Sequence, residues 1–183
     1  EMSRGLGDVY KRQILAIRSA LFLHSLKKSA SPLEDQDVQK LYRRCLNDTN
    51  ITKSIPVYSA AYLKSPVIAG FWKPCIFLPV HLISDKNETD IRYMLLHELQ
   101  HYKHKDGFIN YLINLAGMIY WFNPFVWYAL KEMRGDREIA CDSSVLNLLK
   151  SDDYVTYGNT LINFAEKISL TPFPFSSGIG DQL

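Results

Sequence analysis

Cysteine is scarce in this chain. Cys45, Cys75 and Cys141 are the only three, an odd number without C-x-x-C spacing. That pattern excludes a disulfide framework and a zinc knuckle, and reads as reduced, buried thiols in a cytosolic setting. No block of Lys or Arg is long enough to make a DNA-binding arm. With 21 basic against 19 acidic residues the formal charge is only +2, and no nucleic acid is expected as a partner. Internal repeats and low-complexity tracts are absent. The first residues, Glu1 to Gln13, lack the apolar core of a signal peptide. Apolar residues are what the chain has in quantity: 47% hydrophobic and 13% aromatic over 183 residues, enough for one domain with an ample core.

The chemistry is concentrated in Leu95 to Asp106, which reads LLHELQHYKHKD. His97 and His101 are spaced i, i+4, so on a helix both imidazoles leave one face about a turn apart. With Glu98 between them this is the HExxH pattern of zinc proteases, in which two histidines hold the metal and the carboxylate acts as general base. An amphipathic helix with surface histidines is the plain alternative, since Leu95, Leu96 and Leu99 supply an apolar face. His104 falls on the wrong offset for the same metal and is expected at the surface with Lys103 and Lys105.

A catalytic zinc normally takes three protein ligands and keeps one position open. Downstream, Glu138 and Asp142 are again i, i+4. Glu138 is the candidate third ligand, and Asp142 the candidate acceptor for the free imidazole nitrogen of a ligating histidine, which fixes ring tautomer and direction. Glu132 and Asp136 share that spacing, but on a regular helix they point away by roughly 120° and 160°. A solvated charged helix is the alternative here, with Lys131, Arg134 and Arg137 nearby. Cys141 adjoins this motif and is assigned to packing. Asp106 fits equally as a partner for His101 or as a helix cap.

Together, His97-Glu98-x-x-His101 and Glu138-x-x-x-Asp142 resemble the gluzincin metallopeptidases. SPVIAGFWKPCIFLP, LLHELQHYKHKD, WFNPFVWYALKEMRGDREIACD and TPFPFSSGIG are similar, more narrowly, to the peptidase domain of the BlaR/MecR beta-lactam sensor-transducers. The resemblance runs from about Ile14 to Gly180 and is strongest through the two metal motifs. It implies zinc as cofactor, His97, His101 and Glu138 as ligands, Glu98 as catalytic base and Asp142 in support. It also implies a peptidase domain on the cytoplasmic side of the cell membrane, between membrane helices of a receptor. The implied substrate is a protein, either the receptor itself or a cytoplasmic gene repressor. A homo-oligomer is left open. A zinc protease of the prenyl-protein or membrane quality-control type would share both motifs, and a non-catalytic signalling module would have no need of Glu98.

The fold expected is α+β and mainly helical: a zincin-like metallopeptidase domain with a small antiparallel sheet over residues 14–183. Residues 1–13 do not match the family and read as a leader foreign to the native protein. Ile14 to Leu26 is apolar and ends in Lys27-Lys28, as either the last turns of a membrane helix or a helix packed on the domain. Ser31-Pro32 reads as the start of a helix, with serine capping and proline in the first turn. From Ile55 to Pro79, Val/Ile/Tyr/Phe runs broken by prolines predict about three strands, some at an edge. Val67 to Phe71 and Cys75 to Leu78 are both candidates for an edge strand that holds substrate. The active-site helix is expected over Thr89 to Lys105, closed by Asp106-Gly107. Phe108 to Leu130 carries no charge, yet a single span there would put Glu138 across the membrane from the histidines. A hairpin breaking at Asn123-Pro124 is therefore expected, followed by a last helix from Tyr154 to Ile168. The cluster Tyr120, Trp121, Phe122, Phe125, Trp127 and Tyr128 suits either the core or a membrane interface. Tyr154 and Tyr157 are candidates for a second electrophile.

Overall fold

The computed structural model describes residues 17–18, 21–22, 24–70 and 73–169. They form a mainly helical α+β domain with one small sheet. The expectations for residues 1–13 and for the tail after 169 lie outside the described residues. So does much of 14–26. Residues 24–29 are helical.

Four strands make the sheet: β1 (Ser31–Pro32), β2 (Val57–Ala60), β3 (Val67–Ala69) and β4 (Cys75–Pro79), in the order β1-β2-β4-β3. The sheet is mixed, not antiparallel as expected. β1 with β2 and β3 with β4 are antiparallel, but β2 and β4 run parallel. The physical reason lies in the connection. The chain leaves β2, turns back through β3 at the edge, and re-enters as β4 in the gap between them. β4 is buried along its length, as a central strand covered on both faces should be. Gly70, directly after β3, has φ 111°, and a Cβ there would lie 2.4 Å from the Lys73 carbonyl oxygen. Only glycine fits at that position.

Ser31-Pro32 does not open a helix. Both residues are extended and pair with Ser59 and Tyr58, in keeping with the bias of a residue before proline against helical backbone. Helix α1 (Gln36–Asp48) starts four residues later, where the Asp35 carboxylate accepts hydrogen bonds from Asp37 N and Val38 N.

After the short α2 (Val80–Ser84) comes the site helix, α3 (Glu88–Lys103), capped by Asn87, whose side chain accepts from Asp90 N. Leu95, Leu96 and Leu99 are fully buried against Leu41 and Cys45 of α1, Ile76 and Leu78 of β4, and Val145 further on. At about 1.5–3 kcal/mol for each such side chain, this apolar face fixes the rotation of α3 and hence the direction of its histidines. The end of α3 differs from the glycine cap expected at Asp106-Gly107. Lys105 takes the left-handed conformation (φ 59°), and Asp106 already begins α4 (Asp106–Ile119).

Asn123 and Pro124 break the charge-free stretch as expected. Asn123 caps α5 (Pro124–Leu146), accepting from Phe125 N, with proline in the first turn. Because α4 and α5 pack on each other and on α3, the hairpin returns the second motif to the first. A 3-10 turn (Ser151–Asp153) leads into α6 (Tyr154–Ser169), which also packs on α3. Several rings of the hairpin are not core: Phe122, Phe125 and Tyr128 are 66%, 82% and 67% exposed.

Candidate metal centre

α3 and α5 bring together the residues that the two motifs single out. His97 Nε2 and His101 Nε2 lie 3.0 Å apart, and Glu138 Oε2 is 3.6 Å from each. A triangle with those sides has a point about 2.0 Å from all three donors, the length of Zn–N and Zn–O bonds. Glu132 and Asp136 are exposed on α5, and among the described residues only Glu138 joins the two histidines in a donor cluster.

The other ring nitrogens are held by carboxylates. His97 Nδ1 donates to Asp142 Oδ1 at 3.0 Å, and His101 Nδ1 donates to Asp106 Oδ2 at 2.6 Å. A carboxylate only accepts, so each Nδ1 carries the proton and each Nε2 presents a lone pair. Two lone pairs converging at 3.0 Å repel unless a cation or a proton lies between them. This donor set therefore fits a divalent metal, with the carboxylates raising ligand basicity from behind.

The sequence left Asp106 open between cap and partner, and the structure makes it the partner of His101. For Tyr157, named from the sequence as a candidate electrophile, spacing missed the contact it makes. Its hydroxyl donates to Asp142 Oδ1 at 2.7 Å and is buried, so it steadies the carboxylate behind His97 and is not placed as an electrophile. Burial, then Asp142, push its pKa up. No spacing rule finds a tyrosine fifteen residues from its partner across a helix end and a 3-10 turn. Tyr154, the other candidate, is 43% exposed.

Glu98 is only 8% exposed, and its Oε2 accepts from the Ile68 N–H of β3 at 2.8 Å. β3 is thus the edge strand of the two candidates, and Cys75–Pro79 is the central one. Burial pushes the Glu98 pKa up, against the lowering influence of His101, His97 and the Ile68 N–H. For His97, burial opposes the charged form, but Glu138, Glu98 and Asp142 outweigh it and raise the pKa. The contact with His97 leads the effects that hold Glu138 below the usual carboxylate range, over the opposing effect of its partial burial. His104 is half-buried, not surface-exposed as expected. Its Nδ1 lies 3.5 Å from Cys141 Sγ and its Nε2 3.4 Å from Ser144 Oγ, although its offset does keep it out of the Nε2 cluster. Cys141 is fully buried, and burial, then Asp106, push its thiol up to about 12.

The sequence is similar to those of known proteins. Regulatory protein BlaR1 of Bacillus licheniformis is 32% identical over 151 residues, which is 82% of this chain and 25% of that protein. The methicillin resistance mecR1 protein of Staphylococcus epidermidis is 30% identical over 134 residues, 73% of this chain and 23% of its own length. Regulatory protein BlaR1 of Staphylococcus aureus is 24% identical over 147 residues, 80% of this chain and 25% of that protein. The chain spans about a quarter of the length of the relatives it matches. Since the family described as BlaR1 peptidase M56 is matched over residues 12–179, the chain belongs to the BlaR1 peptidase M56 family.

Proposed function

We propose that this chain is a zinc-dependent endopeptidase domain, with His97, His101 and Glu138 as ligands and Glu98 as general base. The observation that carries the reading is the pair of Nε2 lone pairs, forced by carboxylates at both Nδ1 atoms to converge beside Glu138. Zinc, when bound, supplies Lewis acidity, which acidifies water and polarises a carbonyl.

Glu98 performs the proton chemistry. It takes a proton from water as the oxygen adds to the scissile carbonyl carbon, and passes that proton to the leaving nitrogen as the C–N bond breaks. A carboxylate raised by burial suits both halves of that task. β3 supplies the rail for substrate. The Ile68 N–H leaves the free edge of the sheet toward Glu98, and in an antiparallel pair the carbonyl of the same residue points the same way. An extended peptide that pairs along this edge takes the Ile68 N–H from Glu98, which frees the carboxylate beside it to act as base.

Metal analysis and casein cleavage test this reading. The expected result is one zinc per chain after dialysis, with cleavage stopped by a chelator and restored by zinc. Equal cleavage by the zinc-free chain would overturn it.

We also propose that the chain is the peptidase part of a membrane-bound beta-lactam-sensing transducer that cleaves itself or a cytoplasmic repressor. Family membership supports this, as do the regulatory and methicillin-resistance names of the relatives. The membrane part has a physical basis of its own. Among the described residues no helix is long and apolar enough to cross a bilayer. Yet α4, α5 and the turn between them expose Phe108, Tyr111, Leu115, Phe122, Phe125 and Tyr128, within the charge-free stretch 108–130. Large exposed apolar patches mark interaction sites, and aromatic rings concentrate at bilayer surfaces. The isolated domain is expected to need detergent and to float with liposomes. A freely soluble monomer that ignores liposomes would remove the membrane from this proposal.

A further inference from the structure

His101 has a second set of metal-type donors behind it, on the Nδ1 side, of which the proteolytic site uses only Asp106, as the hydrogen-bond partner of the ring. Cys141 Sγ lies 3.2 Å from His101 Nδ1 and 3.5 Å from Asp106 Oδ2. The ligand atoms of His101, Asp106 and Cys141 all fall within 4.8 Å of one another. Both Asp106 and Cys141 are buried, at 4% and 0% exposure. Asp106 Oδ1 is a buried oxygen without a hydrogen-bond partner among the described residues. Such an atom carries a desolvation penalty that a cation would remove. Half-buried His104 borders the group, with its Nδ1 3.5 Å from the same sulfur.

Thiolate, imidazole and carboxylate together are a donor set for zinc and for softer divalent ions. Separations of 3.2–3.5 Å around the sulfur suit an ion with Zn–S about 2.3 Å and Zn–N about 2.0 Å. We propose that His101 Nδ1, Asp106 and Cys141 form a second, weaker site for a thiophilic divalent cation, filled only at excess metal. The proposal rests on the reading of His97, His101 and Glu138 as the first site.

Proton balance makes the second site the weaker one. To ligate there, Cys141 gives up its thiol proton and His101 gives up the Nδ1 proton, both to solvent. The 2.6 Å bond between His101 and Asp106 must open, with Asp106 turning to the ion. The first site removes no proton from a thiol or from an Nδ1. Occupation of the second site takes over the imidazole and the carboxylate that orient the first, and is therefore inhibitory.

Cobalt titration of the whole chain, followed by absorbance, tests this without any activity reading. The first equivalent is expected to bind without thiolate-to-cobalt charge-transfer absorption, and the second to bring it. Cys141→Ser should keep the first event and lose that absorption. Cys141→Ala, matched to wild type in circular dichroism and melting, serves if the serine variant does not fold. Three results would each overturn the second site: no thiolate absorption at any occupancy, absorption that survives in the folded Cys141 variant, or absorption already complete with the first equivalent. Failure of the first-site reading looks different. There, Glu138→Ala would still bind one thiolate-free equivalent tightly.

Discussion

Glu98→Gln is expected to retain its zinc and to lose at least about a hundredfold in turnover, the usual scale for removal of a general base. The substitution is close to isosteric. The glutamine carbonyl can still accept the Ile68 N–H that holds Glu98 Oε2 at 2.8 Å, so β3 and α3 keep their relation. Lost is the ability to take a proton from water and return it to the leaving nitrogen. Zinc content should be unchanged, because the proposed ligands are His97, His101 and Glu138. Cleavage at the wild-type rate would remove Glu98 from the role of base.

The same variant carries a stability expectation whose sign follows from burial. The Glu98 pKa is raised, with burial the largest cause. Between its ordinary value and the raised one, the folded state therefore binds more protons than the unfolded chain. Stability falls as pH rises through that window, and the deficit is complete above it. In the metal-free protein, Glu98→Gln should therefore melt higher than wild type at neutral pH. The difference should close below the ordinary carboxylate value of about 4.3. A base kept where it costs stability is what a functional carboxylate looks like; one retained for folding would show the opposite sign.

What the sequence made legible was local. The i, i+4 spacings put two imidazoles on one face of α3 and two carboxylates on one face of α5, because helical geometry repeats with the residue count. Asn123-Pro124 announced the hairpin through capping chemistry that needs only adjacent residues. Contacts between elements were not legible in this way. Tyr157 reaches Asp142, and Ile68 reaches Glu98, through packing that no spacing encodes. The sheet failed for the same reason: strand texture between Ile55 and Pro79 reveals extended chain, but not that β4 returns between β2 and β3. Asp106 lay between the two cases. It is close to His101 in sequence, yet only the left-handed turn at Lys105 carries it behind the ring. A lysine in that conformation has no signature comparable to glycine.

Loss of the third ligand gives the other large effect: Glu138→Ala should abolish tight zinc binding, while Glu132→Ala should leave it stoichiometric. The structure separates these two carboxylates on one helix. Glu138 Oε2 stands 3.6 Å from both Nε2 atoms, whereas Glu132, exposed like Glu138, lies outside the donor cluster. Without Glu138 the two imidazoles alone make an incomplete set, since a catalytic zinc takes three protein ligands. Asp142→Asn tests the support behind the ligands by a smaller step. Asparagine can still accept from His97 Nδ1 and from the Tyr157 hydroxyl, so only the negative charge is lost. The expected result is a weakening of zinc affinity or activity of about 10–100-fold, the range for residues that orient a ligating histidine. Metal content after dialysis decides between the carboxylates. Stoichiometric zinc in Glu138→Ala, together with its loss in Glu132→Ala, would mean that α5 presents a different face to the metal. The convergence of the two histidines would then need another partner.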